Sequence, residues 1–103
     1  MKNVVSIQLL PVVGAFAQNK DKARMIRLEQ IMPALEAGQD VRLDFTGVES
    51  TTQSFIHALV SEVMRVYGAD VLDRVDFKGC NETVQKIIGI VVDYMQQSDA
   101  AKS

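Results

Sequence analysis

VRLDFTGVESTTQSF, residues 41–55, decides the fold, because within one short stretch it passes from strand alternation through a run of hydroxyls into helical spacing. Val41, Leu43 and Phe45 alternate with Arg42 and Asp44 in the period of two that a half-buried strand requires. A charged face on an inner strand is costly, so Asp44 is expected at the strand's end. Ser50, Thr51, Thr52 and Ser54 then place four hydroxyls within five positions. Such side chains suit a helix start, where they accept hydrogen bonds from backbone N–H groups that have no partner inside the helix. Ser50 and Gln53 spell the S-x-x-Q capping box, and Ser50 or Thr52 is the expected cap. Phe55, Leu59, Val63 and Val66, flanked by Ile56, Val60 and Tyr67, continue at helical spacing until Gly68. So broad an apolar face implies burial against a sheet.

Working outward, Val4, Val5 and Ile7 read as a first strand, and Pro11 interrupts it. Val12 to Phe16 is expected to return as a second short strand, in a hairpin or as a bend of the first. From Lys20 to Ala37 an amphipathic helix is expected to bury Met25, Leu28, Ile31, Met32 and Leu35. Pro33 lacks an N–H and crowds the carbonyl of Glu29, which predicts a kink or two helical pieces ending at Gly38. Downstream, Val71, Leu72, Val75 and Phe77 supply another strand. Asn81 can cap a last helix carrying Val84, Ile87, Ile88, Val91, Tyr94 and Met95. Strand followed by helix three times over favours parallel pairing. The expectation is an α/β domain, a small mostly parallel or mixed sheet of about four strands packed with three main helices, spanning 1–97 with a flexible tail at 98–103.

The composition sets bounds on function. With 103 residues, 48% of them hydrophobic and 23% charged, the chain has material for one core. Eleven basic against thirteen acidic residues give a net charge of −2 without a basic block, so the electrostatic footprint of nucleic-acid binding is missing. Cys80 is alone and has no intramolecular disulfide partner. The apolar run VVSIQLLPVVGAFA ends in an A-x-A pattern like that of a signal-peptidase site, but its positive region is one residue and Gln8 interrupts it. Read as a strand, it implies a retained N-terminus and a cytoplasmic protein, and it is too short to span a membrane.

Candidate chemistry is sparse. His57 shares a helical face with Ser54, Ser61 and Arg65 and is the single histidine, so no histidine cluster can hold a metal. A Ser54/His57 dyad of hydrolase type lacks an acid placed by sequence to orient it and a glycine-rich oxyanion element. Cys80 precedes a helix, which can lower a thiol's pKa, yet an inert, partly buried thiol is the simpler reading. Asp44 and Glu49 sit near one loop, where turn formation explains them without Mg²⁺. Gly14, Gly47, Gly68 and Gly79 are isolated and form no phosphate cradle. Met25, Met32 and Met64 read as core filler. No catalytic residue, cofactor or metal is assigned.

The string D-F-x-G-V-x-S-x-x-x-S-F from Asp44 to Phe55, with GADVLDRVDFKG and a final amphipathic helix, resembles the STAS domains of anti-sigma factor antagonists, in particular the small STAS-like domains of unknown function. The likeness runs from about Phe16 to Met95. It implies a regulatory module for protein–protein interaction, with a partner that is a histidine-kinase-like ATPase or another serine kinase, and no membrane or nucleic acid. In antagonists a helix-start serine is phosphorylated by such a partner. Laid on without a gap, Asp44 matches the strand aspartate, Val48 the following apolar position and Ser54 the phosphorylated serine. Thr52, Gln53, Phe55 and His57 stand where that family has aspartate, serine, glycine and glycine, which puts the phosphorylation in question more than the fold. The resemblance makes Thr51, Thr52, Gln53, Ser54 and His57 the expected partner-binding residues, with Asp44 and Gly47 as the strand-end motif. A helix start can accommodate phosphate, whose charge of about −1.5 to −2 would alter a docking surface. The alternatives are a small hydrolase-type enzyme at Ser54 and His57, or a constitutive subunit of a larger complex. The oligomeric state stays open.

Overall fold

The computed structural model describes residues 3–102, with side chains through residue 96. The chain runs β1 (Val4–Gln8), a single turn α1 (Leu10–Val13), β2 (Phe16–Ala17) and α2 (Lys20–Ile26). A π-turn, Arg27–Ile31, leads into α3 (Met32–Glu36), followed by β3 (Asp40–Asp44), β4 (Ser50–Thr51) and α4 (Gln53–Tyr67). A 3-10 turn, Ala69–Asp73, precedes β5 (Val75–Lys78) and α5 (Glu82–Lys102).

All strand pairing among the described residues is parallel, in a three-stranded sheet of order β1-β3-β5 and a two-stranded ribbon of β2 with β4. Val5, Val41 and Val75 stand in one register row, and Ile7, Leu43 and Phe77 in another. These rows face the core, where Leu43 and Val41 are fully buried. The intervening rows, Ser6 with Arg42 and Asp76 and Gln8 with Asp44 and Lys78, form the opposite face. Both crossovers step in the same direction, so with one handedness the helices share a single face. The polar face is left to solvent, and this accommodates Arg42 on the middle strand, 3.4 Å from Asp76. Asp44 is the last residue of β3, where a charge is tolerated.

Val12 and Val13 are not a strand. Pro11 presets the backbone for a helical first turn, and the N–H groups of Val12 and Val13 both donate to the Leu9 carbonyl. β2 starts only at Phe16 and pairs with β4, so the expected hairpin or bent strand does not form.

The first long helix keeps its expected span and buries Ile31 and Leu35 as expected, but not Met25 or Leu28. Ala23, Ile26, Ile31, Ala34 and Leu35 are buried, while Met25 and Leu28 are 52% and 55% exposed. The cause is the π-turn before Pro33. In it the Met32 N–H donates to the Arg27 carbonyl, five residues back. The wider turn adds a residue where the proline ring would crowd the helix, and the core contact after Ile26 falls at Ile31, five positions on. Gly38, at φ +79°, ends the helix with its N–H on the Leu35 carbonyl, and the Gln39 N–H donates to the Ala34 carbonyl. Arg74 Nη2 donates to the Leu35 and Gln39 carbonyls at 3.1 and 3.0 Å, and its Nε lies 3.5 Å from Asp40. This arginine joins the helix end to the starts of β3 and β5.

α4 buries Phe55, Ile56, Leu59, Val60, Val63 and Met64. Val66, expected on that face, is 57% exposed because the buried stripe advances through Met64 to Tyr67. Val71 and Leu72 lie in the 3-10 turn rather than in β5. Asn81 caps α5 as expected, its Oδ1 accepting from the Val84 N–H at 2.8 Å. α5 continues to Lys102 through the stretch expected to be a tail, with no Gly or Pro after Gly89 to stop it. Among the described residues no helix is long and apolar enough to cross a membrane.

Candidate functional site

The parallel ribbon of β2 and β4 aligns two helix starts. Phe16 stands opposite Ser50 and Ala17 opposite Thr51, and each strand leads within two residues into a helix. On one side Asn19 Oδ1 accepts from the N–H groups of Asp21 and Lys22 at 2.9 and 3.2 Å and caps α2. On the other, Thr52 Oγ1 accepts from the Phe55 N–H at 3.1 Å and caps α4. Of the two caps open from the sequence, Ser50 and Thr52, the structure uses Thr52, and the Ser50/Gln53 capping box is not formed, since Ser50 belongs to β4.

Thr51, expected among the partner-binding residues, is buried instead. It is 7% exposed, and its hydroxyl donates to the Ala17 carbonyl at 2.7 Å, holding the ribbon together. Gln53, Ser54 and His57 occupy the first turns of α4 and are exposed. They line an open groove of about 440 Å³. Lys20, the first residue of α2, adds a cation, and Ala58, Ile90, Val91 and Tyr94 complete the wall with no carboxylate among them. Ser54 follows Thr52 by two positions, so it lies among the N–H groups at the positive end of α4. Arg27 Nη1 donates to the Ala58 carbonyl at 3.2 Å and links the π-turn to α4 behind the groove.

Asp44 and Gly47 lie elsewhere, at the end of β3 and in the loop that leaves it. Asp44 Oδ1 accepts from both the hydroxyl and the N–H of Thr46, at 2.5 and 2.9 Å. Those two bonds, chiefly the hydroxyl's, hold the carboxyl below its ordinary range, with Lys78 and Arg42 assisting. Gly47 has φ +86°, and a Cβ there would strike Leu10 of α1. A Cβ on Gly79 would strike Thr46 in the same way. The loop is thus built by turn chemistry and close packing, and Asn81 Nδ2 fastens it to α5 through the Glu49 carbonyl at 2.9 Å. Cys80 lies beside it with its thiol pKa raised by burial and by the Asp44 and Asp76 carboxylates.

Lys20, Ile90 and Tyr94 escaped sequence reasoning. α5 carries more apolar residues than one helical stripe can bury, and Val84, Ile88 and Val91 take the inner positions. Ile90 and Tyr94, one turn apart, are left 50% and 68% exposed. That surplus was the readable signal.

A family model described as a STAS-like domain of unknown function (DUF4325) matches residues 22–85, from α2 into the first turn of α5. No curated protein and no solved structure matches the chain.

Proposed function

The chain belongs to the family of STAS-like domains of unknown function, and from that membership we propose a small regulatory module that docks a partner protein in the α2–α4–α5 groove and releases it when Ser54 is phosphorylated. The partner of this reading is a serine kinase of histidine-kinase-like ATPase type. The observation that carries it is the placement of exposed Ser54 at a groove where two capped helix starts and Lys20 converge beside an unburied tyrosine.

Tyr94 and Ile90 supply the apolar anchor, and an exposed aromatic of this kind is where binding energy concentrates in protein interfaces. Gln53, Ser54 and His57 form the polar side. A phosphate on Ser54 meets the positive ends of α2 and α4, which favour the negative charge and leave the fold intact. Its charge of about −1.5 to −2 nevertheless changes the groove's potential and fills space a partner would use. Fold and docking therefore respond separately to the same group.

The experiment copurifies the partner from native cells and measures its affinity by calorimetry for wild type, Ser54→Asp, Tyr94→Ala and a protein carrying phosphoserine at position 54. Ser54→Asp is expected to keep its unfolding free energy within about 1 kcal/mol while affinity falls at least ~tenfold, about 1.4 kcal/mol. Tyr94→Ala is expected to weaken binding without a change in stability. Wild-type affinity in both variants overturns the assignment of the groove. Loss with Tyr94→Ala alone, including when an authentic phosphoserine is installed at position 54, retains the docking face and removes the switch.

A further inference from the structure

A second surface lies on the other side of α5, at the free edge of the sheet. β5 ends the strand order. Its ladder to β3 uses Arg74, Asp76 and Lys78, as in the Val41 N–H bond to the Arg74 carbonyl and the Phe45 N–H bond to the Lys78 carbonyl, at 2.8 and 2.7 Å. The N–H and C=O groups of Val75 and Phe77 consequently point away from the sheet. Beside this edge an apolar groove of about 510 Å³ is lined by Leu72, Val75, Phe77, Ile88, Gly89 and Val92.

The geometry points to a second copy of this chain as the occupant, pairing β5 with β5 antiparallel about a two-fold axis through Phe77. The argument is one of charge and register. A two-fold perpendicular to the sheet keeps each copy's polar face on the same side, so a residue can stand opposite one of its own parity only. Centring on Asp76 sets carboxylate against carboxylate, and centring on Lys78 sets ammonium against ammonium. Centring on Phe77 instead sets Asp76 opposite the second copy's Lys78, twice over. The same register lets the two Phe77 residues exchange both outward hydrogen bonds and places their rings side by side. Charges on an edge strand ordinarily deter pairing, but centring on Phe77 makes this pattern self-complementary; centring on Val75 would set Asp76 opposite Arg74, whose guanidinium is already held by the Leu35 and Gln39 carbonyls and lies beside Asp40. Asp76 is available for it, being 65% exposed at the side chain beside Arg42.

Gly89 supports the same arrangement independently. It lies inside the 21-residue α5, where glycine is unfavourable relative to alanine, and a Cβ placed there would meet nothing within 4 Å. Packing within one copy gives no reason for it. The two-fold brings the faces carrying Ile88, Gly89 and Val92 of two α5 helices toward each other, and a missing side chain lets them approach.

The test measures molar mass by light scattering on the full chain at concentrations up to ~1 mM, with far-ultraviolet circular dichroism as the check on folding. Wild type is expected to approach twice the 11.4 kDa chain mass. Lys78→Asp and Asp76→Lys each place like charges opposite one another at two positions, and each is expected to raise the dissociation constant at least ~tenfold. An equimolar mixture of the two variants restores opposite charges and is expected to form heterodimers. Gly89→Arg is expected to give a folded monomer, since the site is open within one copy. A wild-type monomer at all concentrations overturns the inference. So does a dimer whose dissociation constant is unchanged in both charge variants and in Gly89→Arg, or a mixture of charge variants that stays monomeric when each variant alone has dissociated and remained folded.

Discussion

Truncating Ile31 and Leu28 in turn reads the register of the first long helix. Ile31 is 1% exposed because the π-turn carries it onto the core face, and Leu28, three residues earlier, is 55% exposed. Ile31→Ala removes three buried carbons, a transfer loss of about 2.4 kcal/mol at roughly 0.8 per carbon. The cavity left behind brings the expected cost to ~2–5 kcal/mol. Leu28→Ala removes three carbons already more than half in water and replaces leucine with the best helix former, so its cost is about 1 kcal/mol or less. With a urea slope of about 1.5 kcal/mol/M, a loss of about 3 kcal/mol lowers the midpoint by about 2 M, against less than about 0.7 M for Leu28→Ala. Equal shifts, or a larger one for Leu28→Ala, would mean an unbroken α-helix that buries Leu28, and the account of Pro33 would fall with it.

Arg74→Met keeps the aliphatic stem but removes the donors to the Leu35 and Gln39 carbonyls. It is expected to cost about 1.5–3 kcal/mol in thermal or urea unfolding and to speed hydrogen exchange at Gly38 and Gln39, and unchanged exchange there would contradict the assigned role. Thr46→Val deletes the hydroxyl chiefly responsible for the depressed Asp44 pKa. A carboxyl depressed in the folded state contributes stability above its ordinary range and loses it as pH falls through the folded value. The variant's Asp44 is therefore expected to titrate at higher pH in a carboxyl NMR titration and to lose part of that acid-side dependence, the backbone N–H bond at position 46 being retained, whereas a titration matching wild type would assign the shift to another group.

Much of the architecture was legible because each segment's local chemistry agreed with its surroundings. The alternation at 41–45, the Thr52 and Asn81 caps and the stop at Gly68 are all set by near neighbours in sequence, and all appear in the fold. The departures arise where distant parts of the chain intervene. Periodicity assumes an unbroken helix, so with the slip before Pro33 the residue buried one turn ahead of Ile31 is Ile26, and Met25 and Leu28 are left exposed. Valine's preference for strands could not anticipate the turn at Val12 and Val13, nor could hydroxyl chemistry show that Thr51 bonds to Ala17, 34 residues away. At the candidate site, the α4 residues were readable because they follow a helix start in sequence. Lys20, Ile90 and Tyr94 reach the same groove from two other helices, and only tertiary packing brings them there.

The measurement that bears most directly on the proposed switch is phosphate occupancy at Ser54 in protein taken from its native cells, separated into partner-bound and unbound pools and quantified by intact mass and peptide sequencing. The account predicts phosphoserine at position 54 in the unbound pool and its depletion from the bound one. Equal occupancy in both pools, or none in either under conditions where the partner is released, would contradict it.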